Sequence, residues 1–241
     1  MIAQPVAVEV GASAHRDAVR LARIAGALYL PMFVLGPFGL LYVRATLVVP
    51  GDAAATADRI ATHDGLLRAG SVIELYLALS DVVLAALFYL LARPVSRPLA
   101  LVSALFRLTW AAVGAMAVLT NIVALLIVRA GQPPAAALLA MDLHKYVFAV
   151  GFVAFGAHLV IFGYLIWVSN LLHRAVGIAL LVAGVGYVAN SLLTLGWGPP
   201  SQPLLLLPAF PAELALCLWL LVKGVRPIPA MPPQLGAAPS R

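Results

Sequence analysis

Charge is the scarcest commodity in this 241-residue sequence. Only 10% of its residues are Asp, Glu, Lys or Arg, against roughly a quarter in ordinary soluble domains. With 63% hydrophobic residues and a mean hydropathy of +1.04, there is too little polar surface to cover a water-soluble fold. Cysteine is nearly absent too. The single Cys217 excludes an intrachain disulfide and reads as a small buried hydrophobe. No HExxH helix, GxGxxG turn or P-loop occurs, which argues against a zincin and a nucleotide site. No serine-protease pattern is present, and Ser80 and Asp81 point about 100° apart on a helix, so they form no dyad. The start of the chain, MIAQPVAVEV, has neither a basic opening nor a long apolar run, so no cleaved signal peptide is expected.

Long apolar runs are abundant. Six of about 20 residues or more predict an all-α integral membrane bundle of about six transmembrane helices with short loops. The expected spans are 24–43, 70–92, 99–128, 143–168, 175–197 and 203–222. Three regions follow: a cytoplasmic lead-in over 1–22, a transmembrane domain over 23–223, and a disordered cytoplasmic tail over 224–241 with five prolines after Lys223. Pro31 and Pro37 fall inside the first span and predict kinks. The longest connection, 44–68, should carry a short amphipathic helix with Asp52 as N-cap and an Asp64–Arg68 pair four residues apart.

The net charge of +6 does not point to nucleic acid here, because the basic residues sit in short loops where they set topology and meet lipid headgroups. With the N-terminus inside, the inner segments hold Arg16, Arg20, Arg23, Arg93, Arg97, Arg174, Lys223, Arg226 and Arg241. The outer ones hold Arg44, Arg59, Arg68, Arg129 and Lys145. This bias places both termini in the cytoplasm of a cell with the protein in its inner membrane.

Ionisable groups within hydrocarbon cost about 2.5–3.5 kcal/mol each at mid-span on insertion scales, so they mark candidate sites. They are Glu74 and Asp81 in span two, Arg107 in span three, His158 in span four and Glu213 in span six. At about 1.5 Å of rise per residue, Asp81, His158 and Glu213 lie roughly 15 Å deep and Arg107 roughly 12 Å. One layer is therefore expected to hold them as a nearly neutral cluster, either a packing lock or a binding or proton-handling site. Seven-residue stripes reinforce this: Glu74 with Asp81, Arg107 with Gly114 and Asn121, and His144 with Gly151 and His158. The midway glycines would let another helix approach closely. His144, near Asp142 and Lys145, is expected in a solvated helix start. It lies about 21 Å from His158, so the two share no metal. Pro208 and Pro211 before Glu213 predict a helix that starts near Pro208.

The strings RIAGALYL (23–30), GDAAATADRI (51–60), DLH (142–144), AHLVIFGYLI (157–166), GVGYVANS (184–191) and AELALCLWLLVKGV (212–225) resemble the bacterial membrane proteins grouped as domain of unknown function 4386. The resemblance spans about residues 20–226, with Asp81, Asp142, His144, His158 and Glu213 as its polar anchors. It implies the same topology and brings no activity, cofactor or metal. Three function classes stand open: a small transporter or binding protein for an ion or amphipathic molecule, an intramembrane enzyme using His158 with a carboxylate, and a structural or regulatory component without chemistry. Lipids are the expected partners.

Overall fold

The computed structural model describes residues 4–198 and 203–226, which are helical throughout except for short connections, with no strand. Six helical stretches are long and apolar enough to cross a membrane: Ser13–Leu47, Asp64–Ala92, Arg97–Arg129, Pro134–Ser169, Arg174–Trp197 and Leu204–Val222. The expected spans are all present, and several are longer than hydropathy alone suggested.

The first span is segmented by its prolines. Helix α1 (Gln4–Tyr29) stops at a turn over Leu30 and Pro31, because Pro31 has no N–H to give the carbonyl of Ala27. Helix α2 (Met32–Pro37) then leads into a π-helical turn (Phe38–Tyr42) directly after Pro37, and α3 (Val43–Leu47) completes the crossing. The lead-in expected over 1–22 is already helical from Gln4, and Ala22 is buried. In the first long connection, α4 (Ala53–Thr62) is the expected surface helix, and Asp52 caps it by accepting from Ala55 N at 2.9 Å. Asp64 meets Arg68 at 3.6 Å, and meets Arg129 across the helix pair more closely, at 2.6 Å.

Helices α5 (Asp64–Ala92), α6 (Arg97–Arg129), α7 (Pro134–Ser169) and α8 (Arg174–Trp197) follow as an antiparallel meander. Asn170, in the left-handed region at φ 55°, terminates α7. A short turn of helix, α9 (Pro203–Leu206), precedes α10 (Ala209–Val222), for which Pro208 is the N-cap residue as expected. Gly224, at φ 68°, ends α10. Residues 224–226 are not part of a disordered tail: Val225 is buried and Arg226 N donates to Leu171 O at 2.9 Å. The remainder of that tail, from residue 227, lies outside the described residues.

The helices close into a ring in the order α1, α5, α6, α7, α8, α10 and back to α1. Six crossings bring the two ends of the bundle's chain to one face, here called the terminal end; α4 covers parts of α5, α6 and α7 at the opposite end. Packing around the ring is uneven. Helices α7 and α8 touch backbone to backbone at two glycine pairs, where a Cβ on Gly156 would lie 2.6 Å from Gly184 O and one on Gly163 2.7 Å from Gly177 O. Small residues of this kind let membrane helices gain dispersion contact, since lipid leaves no hydrophobic drive between them. The expected close approaches at Gly114 and Gly151 are different. Gly114 has only Ala78 Cβ nearby, and Gly151 makes room for the side chains of Trp110 and Val113. Large apolar side chains such as Val34, Leu79, Leu126 and Val185 face outward to lipid.

Candidate functional site

Every ionisable residue singled out from the sequence is buried: Glu74, Asp81, Arg107, His158 and Glu213 are each no more than 8% exposed. Asp81, Arg107, His158 and Glu213 share one layer, and Glu74 lies apart from them in a second. In the central layer Arg107, on α6, donates through Nη2 to Asp81 Oδ1 on α5 in a buried ion pair. The second oxygen of Asp81 accepts from the Trp110 indole at 2.7 Å, one turn along α6 from Arg107. Arg107 Nη1 lies 3.0 Å from His158 Nε2 on α7. The guanidinium is enclosed by the rings of Tyr29, Phe88 and Phe155, with centroids 5.2, 5.0 and 5.4 Å away. A guanidinium among aromatic faces keeps favourable electrostatics after losing water.

This geometry fixes the state of His158. An arginine nitrogen can only donate, so Nε2 must accept and the ring proton sits on Nδ1. That nitrogen faces Ser103, 3.1 Å from its carbonyl oxygen and 2.8 Å from its hydroxyl. His158 is thus neutral, lies near-parallel to the rings of Phe88 and Phe162, which stack on each other, and pairs with no carboxylate among the described residues. Within the four-membered cluster Arg107 is therefore the cation that faces Asp81 and Glu213, and His158 adds no charge. The His158–carboxylate arrangement that an intramembrane enzyme would need is not formed.

Glu213, on α10, shares the layer through hydroxyl donors. Tyr29 on α1 donates to Oε2 at 2.5 Å and Tyr187 on α8 to Oε1 at 2.9 Å. All six helices of the ring therefore place a polar group at one depth. Sequence reasoning missed Tyr29, Trp110 and Tyr187. The available signal was their position, since tyrosine and tryptophan in membrane helices normally mark the interfaces and these three sit near mid-span.

Glu74 belongs to a second layer, two turns along α5 and about 10 Å nearer the α4 end. Asn121 Nδ2 donates to its Oε2 at 3.2 Å, and His144 Nε2 lies 3.5 Å from its Oε1. The His144 contact is too long to be a hydrogen bond, and Asn121 Oδ1 also has no hydrogen-bond partner. His144 is only 2% exposed, with Nδ1 against Thr120 and the Ala117 carbonyl. The expectation of a solvated His144 fails because α7 starts at Pro134, ten residues earlier, and carries His144 into the bundle. Arg44 donates to Met141 O beside it.

A cavity of about 300 Å³ reaches the central layer. Asp81, Arg107, Trp110, Tyr187 and Glu213 line its floor, and Met32, Phe33, Gly36 and Pro37 of the proline-broken segment form one wall. A second cavity of about 360 Å³ adjoins it across Leu40, Leu41, Phe152, Tyr187 and Leu206, and runs past Asn190 and His144 to Arg44 and Lys145. Together they make a groove from mid-bundle toward the α4 end. Its cause is local: the segment after Pro31 packs on α5 and leaves α8 and α9 uncovered. A larger cleft, about 650 Å³, is a basic surface groove at the terminal end along Arg16, Arg20 and Arg23, away from the buried acids. Among the described residues no three His, Cys, Asp or Glu side chains converge where they could hold a metal ion.

A six-helix ring with lipid-facing apolar surface and ionisable side chains turned inward defines a multi-pass membrane protein. The chain belongs to the family described as a domain of unknown function (DUF4386), whose model matches residues 24–224. It is similar to an uncharacterized protein of Archaeoglobus fulgidus, 26% identical over 157 residues that cover 64% of this chain and 83% of that protein. No solved structure matches.

Proposed function

We propose that this protein binds a small amphipathic solute or ion at its central polar layer, as a transporter or membrane receptor, and that it sits in the cell membrane with both termini cytoplasmic. The observation that carries the reading is the cavity onto Asp81, Arg107 and Glu213. A packing lock has no need of open volume beside its charges, and ligand sites are concave, mostly apolar and floored by a few convergent polar groups. Intramembrane charges that face a cavity mark ligand and ion paths in membrane proteins. The broken first span is in keeping with this, because irregular backbone at membrane depth is tolerated where it is buried or lines a cavity. Orientation rests on the concentration of arginine at the terminal end, which under the positive-inside rule faces the cytoplasm. The groove then opens toward the outer face.

Cysteine labelling tests both parts together. On a Cys217→Ser background, Phe33→Cys places a thiol on the cavity wall and Leu79→Cys one on the lipid face. Only a hydrated thiol ionises and reacts. A membrane-impermeant maleimide added to spheroplasts should label Phe33→Cys and leave Leu79→Cys untouched. Labelling confined to inverted vesicles would reverse the orientation, and a Phe33→Cys thiol as inert as the control would remove the open site.

A further inference from the structure

We infer that the ligand of the central cavity is a monovalent organic cation, and that its binding displaces one proton from Glu213. The inference rests on the reading of this cavity as a ligand site. Asp81 and Glu213 supply two negative charges to the layer, Arg107 supplies one positive charge, and His158 supplies none because its Nε2 accepts from Arg107. Asp81 is matched directly, by Arg107 and by the Trp110 indole. Glu213 meets only the hydroxyls of Tyr29 and Tyr187, and among the described residues no Lys, Arg or His lies within ion-pair distance of it. An ionised carboxylate without a counter-ion is costly in a medium of low dielectric constant. The layer therefore lacks one positive charge, and the deficit lies at Glu213.

The cavity beside Glu213 is shaped for an organic cation rather than a bare metal ion. Its volume of about 300 Å³ is walled by the rings of Tyr29, Phe33, Trp110, Phe152, Tyr187 and Phe210. Aromatic faces attract ammonium groups, whereas hard metal ions take six or more oxygen ligands. An ammonium against Glu213 with an aromatic or alkyl body among these rings satisfies both charge and surface. In the empty site a proton on Glu213 meets the same balance. Entry of the cation then releases that proton, one for one, with the charge of the layer unchanged. The groups that face Glu213 across the ring are Tyr29 from α1, Asp81 from α5, Arg107 from α6 and Tyr187 from α8, while α7 adds only His158, held on Arg107; both tyrosines donate to the carboxylate, and when Glu213 is protonated one of the two hydroxyls turns to accept its proton. On α10 itself Cys217 is turned away to donate to Gly26 O.

Three probes of similar size but different charge test this on the purified full-length protein in lipid nanodiscs: phenyltrimethylammonium, its neutral isostere tert-butylbenzene, and benzenesulfonate. The cation should bind saturably and at least about tenfold more tightly than the other two. Its binding should release up to one proton in weakly buffered solution. Its affinity should rise with pH, by about tenfold per unit while Glu213 is protonated in the free protein, and then level off. Glu213→Gln should weaken cation binding at least about tenfold and abolish proton release, at an unchanged melting temperature. Equal binding of cation and isostere, or tightest binding of the sulfonate, overturns the cation inference and leaves the cavity as a ligand site. Failure of all three probes to bind overturns the site reading with it. If Glu213→Gln does not fold, the wild-type pH dependence decides, and a flat profile overturns the proton exchange.

Discussion

Asp81 and Glu74 stand two turns apart on one helix, equally buried, and their surroundings differ in kind. Asp81 has a guanidinium on one oxygen and an indole on the other, with aromatic rings sealing the pair. Glu74 has an amide at 3.2 Å and an imidazole at 3.5 Å, beyond hydrogen-bonding range, with two polar atoms of the group lacking hydrogen bonds. The difference teaches that burial depth alone does not measure how firmly a charge is held. Electrostatic attraction repays desolvation only when geometry and secondary hydrogen bonds are good. Both oxygens of Asp81 meet that condition, although Arg107 Nε has no hydrogen-bond partner, whereas Glu74 has a single amide contact.

Substitution can break this contrast, and the largest effect belongs to Arg107. Arg107→Leu leaves the Asp81 carboxylate buried and unpaired, and should lower stability by about 3–5 kcal/mol. Adding Asp81→Leu should restore most of it, because replacing both partners by apolar groups is close to neutral. Unfolding of the single and double variants in detergent measures this. A single Arg107→Leu variant as stable as the wild type would end the idea of a central pair.

Next in size is Tyr29→Phe, which removes the shorter of the two hydroxyl contacts to Glu213 and leaves the ring on Arg107. With Glu213 protonated in the ligand-free protein this bond joins neutral groups, which contributes about 0.5–1.5 kcal/mol, and a loss at the upper end of that range is expected in the same unfolding assay. No loss would mean that Glu213 does not depend on Tyr29. The smallest effect should come from the other layer. A double-mutant cycle with Glu74→Leu and His144→Leu should give a coupling of about 0.6 kcal/mol, typical of polar contacts between membrane helices. A coupling above about 2 kcal/mol would place Glu74 beside Asp81 in kind and erase the contrast.

The residues divide clearly into those legible along the chain and those that were not. Glu74, Asp81, Arg107, His158 and Glu213 stood out because an ionisable group in an apolar run is costly wherever its helix points. Tyr29, Trp110 and Tyr187 did not, because each is ordinary in a membrane helix until its partner is known. His144 was misplaced because hydropathy marks where a run becomes apolar, whereas α7 continues as a helix back to Pro134.

The amino-acid sequence by itself determined the six crossings, the breaks at Pro31 and Pro37, the cap at Asp52, the start of α10 at Pro208 and the shared depth of the central residues. Each is local: hydropathy adds over about 20 residues, a missing N–H acts within one turn, and depth follows from helical rise. Tertiary structure alone decided the order of the ring, the neutral tautomer of His158, the two tyrosines on Glu213, and the glycine contacts between α7 and α8. Those depend on how each helix is rotated about its axis. In lipid, where both sides of an apolar helix are equally well solvated, rotation is set by small residues and polar partners on other helices, which no single segment contains.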